Sequence, residues 1–144
     1  QRRFDIVGTT SKGVKIVDDY AHHPTEIRAT LTAAKNYPHK TLWCAFQPHT
    51  YTRTRAFLKY FASALSLADK VILADIYAAR EKDPGDISSA DLARELEKLG
   101  KEVHYLRSFD EIEKFILKNL VNGDLLITMG AGNIVEIGEN LLNN

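Results

Sequence analysis

Cysteine is nearly absent from this sequence: 144 residues contain one, Cys44. An intrachain disulfide is thereby excluded, and a lone cysteine inside an apolar run reads as a small buried hydrophobe in a reducing compartment. Excess charge of either sign is also missing, because 19 Lys and Arg balance 19 Asp and Glu. A nucleic-acid binder shows a basic surplus or stripe, so no nucleic-acid partner is expected. Apolar runs are strand-sized, far short of the roughly 20 residues of a membrane helix, so no membrane partner is expected either. No charged-then-apolar leader opens the chain, and a cytoplasmic location is expected. The chain starts on Gln1 rather than methionine, which suggests a piece of a longer polypeptide. Two phosphate-binding signatures are lacking. No G-x-x-x-x-G-K-[ST] occurs, and Gly130-Ala131-Gly132-Asn133 lacks the third glycine of the dinucleotide fingerprint.

What is present is an ordinary globular composition, 44% hydrophobic and 26% charged, at the length of one domain spanning residues 1–144. Residues 4–10 and 14–17 flank Thr10-Ser11-Lys12-Gly13, the pattern of a β-hairpin. Strands are expected at 42–46, 70–74, 102–106 and 124–129. Helices are expected from Pro24 to the stop at Tyr37-Pro38, over 54–67, from Ser88 or Ser89 to Gly100, over 110–120, and after Asn133 to Leu142. The 75–87 loop, with Asp83-Pro84-Gly85-Asp86, is long enough to move. Alternation of strand and helix defines an α/β fold: a Rossmann-like, mostly parallel sheet with an N-terminal β-hairpin and helices on both faces.

Two polar segments follow strands of this series. The first is Asp18-Asp19-Tyr20-Ala21-His22-His23-Pro24-Thr25-Glu26, and the second is Gln47-Pro48-His49-Thr50-Tyr51-Thr52-Arg53-Thr54-Arg55. In an open parallel sheet, ligands gather outside the carboxyl ends of the strands. A carboxylate at a strand end, Asp18 or Asp19, can accept from ribose hydroxyls, and Tyr20 offers a stacking face. His22 and His23 stand at a helix entrance, where the dipole favours anions. The competing readings are helix capping for the aspartates and a solvated imidazole for His23. In the second segment a guanidinium forks onto a carboxylate or phosphate. Arg53 and Arg55, two residues apart, do not share a helix face, and Arg55 fits a surface or packing role. The competing reading here is a polar helix entrance. His22, His23, His49 and Asp19 match no closed zinc pattern, and no metal site is expected. The glycines at 130 and 132 either let backbone approach a ligand or permit a tight turn.

The segments DDYAHHPTEI, FQPHTYTRTR, DIYAAREKDPG and TMGAGNI, in that order, resemble the C-terminal domain of the Mur ligases. The resemblance runs over nearly the whole chain from Arg2-Arg3-Phe4, and the second segment is similar to the alanine-adding branch of the family. The resemblance implies a three-domain cytoplasmic enzyme of peptidoglycan synthesis. Its N-terminal UDP-sugar domain and central ATP-binding domain would be absent from this chain, leaving an inactive domain. The implied reaction uses ATP and Mg²⁺, bound mainly by the central domain, to activate the carboxylate of UDP-N-acetylmuramate as an acyl phosphate that L-alanine attacks. By the same resemblance His49 and Arg53 hold the alanine carboxylate, with Tyr20 and His22 nearby. Asp19 meets the ATP ribose, with Tyr20 and His22 also on the nucleotide. Many family members carry arginine where this chain has Thr50, which places more weight on Arg53. The alternatives are a stand-alone nucleotide-binding α/β module without catalysis and the same domain from a Mur ligase using another amino acid.

Overall fold

A computed structural model describes residues 2–143. Six strands, β1 (Asp5–Thr9), β2 (Lys15–Asp19), β3 (Leu42–Phe46), β4 (Lys70–Leu73), β5 (Glu102–Tyr105) and β6 (Leu125–Met129), form one sheet in the order β1-β2-β6-β3-β4-β5. Only β1 and β2 pair antiparallel; every other neighbour pair is parallel. The expected hairpin is therefore present, and Gly13 (φ +86) makes its turn where a Cβ would strike Asn122. β3 and β6 are buried at every position. Their unbroken apolar sequence reflects helices on both faces, the usual state of parallel strands.

Five of the six helices among the described residues divide between the two faces. α1 (Pro24–Lys35), α3 (Leu58–Leu65) and α4 (Ser89–Lys98) cover one face, packing Ile27, Leu31, Phe61, Leu65, Leu92 and Leu96 against Val17, Cys44, Phe46, Leu73 and Ile127. α5 (Phe109–Asn119) and α6 (Val135–Leu142) cover the other, with Ile112, Ile116, Ile137 and Leu141 against Ile16, Trp43, Ile72 and Leu126. Burial in the first layer pushes the Cys44 thiol far above its ordinary range, so it stays protonated and packs as a hydrophobe.

Two boundaries differ from the sequence expectation. β2 runs on through Asp18 and Asp19, so both carboxylates belong to the strand rather than to the loop after it. The helix expected over 54–67 is two helices, α2 (Tyr51–Ala56) and α3, broken at Phe57 (φ −119, ψ 25). The apolar periodicity of Phe57, Leu58, Phe61 and Leu65 has no gap to mark this. The break lets α3 lie on the sheet while α2 starts earlier, capped by Thr50, across the strand ends.

The chain order explains where a crevice forms. From β2 the chain passes over α1 to β3, then outward to β4 and β5. It returns across the opposite face through α5 to place β6 between β2 and β3. Such a reversal parts the loops on either side of it, and ligands of α/β sheets bind there.

Candidate functional site

The carboxyl ends of β2, β3, β4 and β6 meet at this reversal. β2 delivers Tyr20 and His22, β3 delivers Gln47 and His49, β4 delivers Tyr77, and β6 ends in Gly130 and Gly132. Four rings form a row across the strand ends. Tyr20 and His22 meet edge to face at 5.3 Å between centroids, His22 and His49 lie 5.9 Å apart, and Tyr77 stacks on His49 at 5.4 Å with planes 18° apart. The structure thus brings Tyr20, His22 and His49 together, as the two polar segments suggested.

The first segment is held from within. Glu26 accepts from the backbone amides of His22 (3.1 Å) and His23 (3.2 Å), capping α1. Burial opposes ionisation of Glu26, but those two amides, His22 and Arg3 hold its carboxyl below the ordinary value. His22 Nδ1 lies 3.0 Å from the Tyr20 carbonyl oxygen, which fixes the ring once that nitrogen carries the proton. The Arg2 guanidinium sits 5.2 Å from the Tyr20 ring centroid, pairs with Asp18 at 2.7 Å and donates to the Gly130 carbonyl at 2.7 Å.

Asp18 and Asp19 do not face a ligand here. Asp19 is 2% exposed, and its two oxygens accept from the amides of Phe4 (2.7 Å) and Ala21 (2.8 Å). Both oxygens thus tie the β2 end to the incoming chain, which leaves the Asp19 carboxylate almost no exposed surface. Asp18 accepts from the Thr128 hydroxyl and pairs with Arg2. Burial pushes its carboxyl pKa up, despite those two partners. Neither caps a helix, since α1 is capped at His23 with Glu26; the two carboxylates tie β2 to the incoming chain and to β6.

In the second segment Thr50 has φ +67 and ψ 145, a conformation costly for a β-branched residue. It is held there by backbone pairing of its N–H to the Tyr77 carbonyl (2.8 Å), and its hydroxyl accepts from the Arg53 amide (3.2 Å). Arg55 turns away to Asp86, the surface role anticipated for it. Three side chains at the site leave a buried polar atom without a partner: Gln47, through its acceptor Oε1, and Arg53 and His49, through nitrogens. Arg53 Nη1 and His49 Nδ1 are buried atoms with no hydrogen-bond partner among the described residues. Burial, then the Arg53 charge, then His22 push the His49 pKa down, with Glu81 opposing. With His49 Nδ1 carrying its proton, both atoms are buried donors in a corner that holds the Arg53 charge, and such donors are costly until an acceptor meets them.

Sequence reasoning passed over three contributors. Gln47, 5% exposed, donates to Asn133 (2.9 Å) and lies against Gly130 and Gly132. A Cβ on Gly132 would lie 2.6 Å from Gln47 Oε1 and 2.7 Å from the Tyr77 ring, and one on Gly130 would lie 2.8 Å from the Gln47 carbonyl. The two glycines therefore permit close packing of the β6 turn against β3. Tyr77 and Glu81, the other two, sit in the 75–87 loop, whose DIYAAREKDPG segment carried the family resemblance but no role for either residue. A separate concavity of about 230 Å³ between Tyr51, Asp75, Tyr105 and Arg107 includes neither His49 nor Arg53. Among the described residues no group of three or more His, Cys, Asp or Glu is placed to hold a metal ion, and no helix is long and apolar enough to cross a membrane.

Fold and site together define a mostly parallel α/β domain with a cluster of polar and aromatic side chains at its topological reversal. Comparison with known proteins narrows the class. The family profile described as "Mur ligase, glutamate ligase domain" matches residues 2–132, and the chain belongs to the Mur ligase family, as its C-terminal domain. It is 64% identical over 142 residues to the UDP-N-acetylmuramate–L-alanine ligase of Lachnoclostridium phytofermentans, covering 99% of this chain and 30% of that protein. The ligase of the same name from Caldanaerobacter subterraneus is 56% identical over 141 residues, covering 98% and 30%. The chain thus spans about 30% of the length of the curated relatives it matches. Among solved structures, the UDP-N-acetylmuramate-alanine ligase of Thermotoga maritima superposes with a TM-score of 0.78 at 28% identity, covering 99% of this chain and 29% of that one. A murein peptide ligase from Psychrobacter arcticus gives a TM-score of 0.81 at 24% identity over 99% and 29%, which supports the fold alone.

Proposed function

We propose that this chain is one domain, the amino-acid-binding domain of a cytoplasmic, ATP-dependent ligase that joins L-alanine to UDP-N-acetylmuramate in peptidoglycan synthesis. The observation that carries the reading is the pair of buried, unpartnered donors on Arg53 and His49. A carboxylate satisfies both, and Arg53 can grip it through two parallel N–H bonds. Relatives at 50–64% identity are named for that reaction.

The chain's own work is placement. A gripped carboxylate fixes the α-carbon and hence the direction of the amine, and orientation of this kind lowers the barrier by removing freedom before the bond forms. His49, depressed by burial and by Arg53, is neutral at pH 7 and donates one N–H to the carboxylate without adding a second full charge. His22, its Nδ1 aimed at the Tyr20 carbonyl, presents its other nitrogen toward the crevice. Tyr20, half-buried under Arg2, offers a ring face to a nucleotide base or sugar.

ATP, when bound, supplies the phosphoryl group that activates the muramate carboxylate. The residues here fit a contribution to its edge, through Tyr20 and His22, and supply no lysine-bearing glycine loop for its phosphates. They do not fit Mg²⁺: Asp19 is spent on backbone amides and Asp18 on Arg2 and Thr128, so no step at a metal is assigned to this chain.

The test is a ligase in which this chain replaces the equivalent 142 residues of the Lachnoclostridium relative. L-alanine-dependent phosphate release is expected. Arg53→Ala should raise the KM for L-alanine by about 30- to 100-fold, the worth of one charge-assisted contact, with little change in the KM for ATP. An inactive chimera, or an unchanged alanine KM in the variant, rejects the reading.

A further inference from the structure

The DIYAAREKDPG segment takes no part in the chemistry above, yet it stacks on His49 and caps the helix that carries Arg53. We infer that the 75–87 loop is a brace for the anion corner, with Glu81 and Tyr77 as positioning residues that fasten Arg53 and His49 in place. This inference rests on the reading of that corner as the amino-acid site.

Glu81 works through α2. That helix has six residues, too few to persist alone, since isolated helices below about 12–15 residues are marginal in water. Its first amides have no partner within the helix. Glu81 Oε1 accepts from two of them, Tyr51 (2.6 Å) and Thr52 (3.1 Å), and Thr50 Oγ1 accepts from the third, Arg53 (3.2 Å). The first turn is therefore capped mainly from a loop 30 residues away. Glu81 itself is fixed by the turn Ala78–Glu81, in which its amide donates to the Ala78 carbonyl at 3.0 Å and Ala79 adopts φ +57. The Thr52 hydroxyl first, then the two amides and Arg53, hold the Glu81 carboxyl below its ordinary value. Arg53 is the third residue of this helix, within the capped turn, so the direction of its side chain follows the cap.

Tyr77 works on His49 directly. Its ring stacks on the imidazole, with Gly132 against its other side. Its main chain extends the β3–β4 pairing past the strand ends: Tyr77 N donates to the Pro48 carbonyl and Thr50 N donates to the Tyr77 carbonyl, each at 2.8 Å. The imidazole is thus held in one plane by a neighbour that has no contact of its own with the anion.

Four variants and two measurements test the brace. In the chimeric ligase, Glu81→Ala should raise the alanine KM about tenfold, as loss of a helix cap would imply, while the ATP KM stays put. Glu81→Gln keeps an acceptor oxygen for both amides and should remain within about threefold of the parent. Tyr77→Phe keeps the stack and should match the parent, whereas Tyr77→Ala should show the alanine-specific loss. In the 144-residue chain itself, amide hydrogen exchange at Tyr51 and Thr52 should speed up in Glu81→Ala but not in Glu81→Gln, with β3 unchanged. Unchanged exchange at those amides overturns the brace whatever the kinetics show. An alanine KM that responds to Arg53→Ala but to neither Glu81→Ala nor Tyr77→Ala overturns it too, and leaves the amino-acid site standing. An alanine KM indifferent to Arg53→Ala removes the site instead, and exchange alone then decides the brace.

Discussion

Gly132→Ala isolates the packing demand at the end of β6. Gly132 does not occupy the left-handed region, so an added methyl group meets no backbone strain; what it meets is Gln47 Oε1 at 2.6 Å and the Tyr77 ring at 2.7 and 2.8 Å. The Gln47 oxygen is the end of a side chain and can swing. The ring cannot, because His49 stacks on it and its main chain is paired to Pro48 and Thr50. Forcing a methyl group into a closed contact costs about 1–3 kcal/mol, and the stiffer unfolded alanine chain returns about 0.4–1 kcal/mol. Taking the middle of each range, about 2 and about 0.7 kcal/mol, the net loss is about 1.3 kcal/mol. With a urea slope of about 2 kcal/mol per molar, the unfolding midpoint should fall by about 0.5–1 M. Gly85→Ala is the matched control: Gly85 has φ +81 with nothing within 4 Å of the added carbon, so its cost is backbone strain alone. The Tyr77–His49 ring geometry, read from NMR shifts, should change in Gly132→Ala and not in Gly85→Ala. A midpoint at or above the parent's for Gly132→Ala would refute the packing argument and return this glycine to the status of a turn residue.

Two further expectations concern protons. His49 should titrate below the ordinary 6.5 in an NMR series, and because the unfolded chain takes up the proton first, its contribution to stability declines as pH falls below that value. Added L-alanine should move the titration upward, since a bound anion favours the imidazolium; a titration at or above 6.5 without ligand contradicts the burial argument. For Asp18, whose folded pKa is raised from 3.8, the protonated form is favoured by folding. That stability is present at low pH and is lost as pH rises through the folded pKa, so the advantage of the parent over Asp18→Asn in urea unfolding should be larger at pH 3 than at pH 7. An advantage that grows with pH would show that Arg2 outweighs burial.

The parts of the structure legible in the sequence were those decided by near neighbours in the chain. The apolar runs at 42–46 and 124–129 fixed two central strands, Pro24 and Ser88 marked helix starts, and Gly13 marked the hairpin. The parts that escaped are settled by distant partners. Nothing local tells that Asp19 will be closed off by the amide of Phe4, 15 residues earlier, or that Asp18 will meet Thr128, 110 residues later. The break at Phe57 comes from the need to place α2 over strand ends while α3 packs on the sheet, and helical periodicity carries no mark of that. Tyr77 and Glu81 received no role from the sequence because their partners, His49 and the α2 amides, lie some 30 residues back. Gripping residues sit in a recognisable pattern, whereas the groups that hold them do not.

The strand order has a consequence for how the chain assembles. Among the described residues, β6 is the strand that joins the β1–β2 hairpin to the β3–β4–β5 ladder, and it is also the last strand in sequence. During synthesis, β2 and β3 each wait with an open edge until residues 125–129 have been made. Open edges invite pairing with other chains, and such long-range closure is slow. The cluster at the strand ends is thereby made in two stages: His49, Arg53, Tyr77 and Glu81 can gather as β3 pairs with β4, and the insertion of β6 then seats the hairpin that brings Tyr20 and His22 beside them.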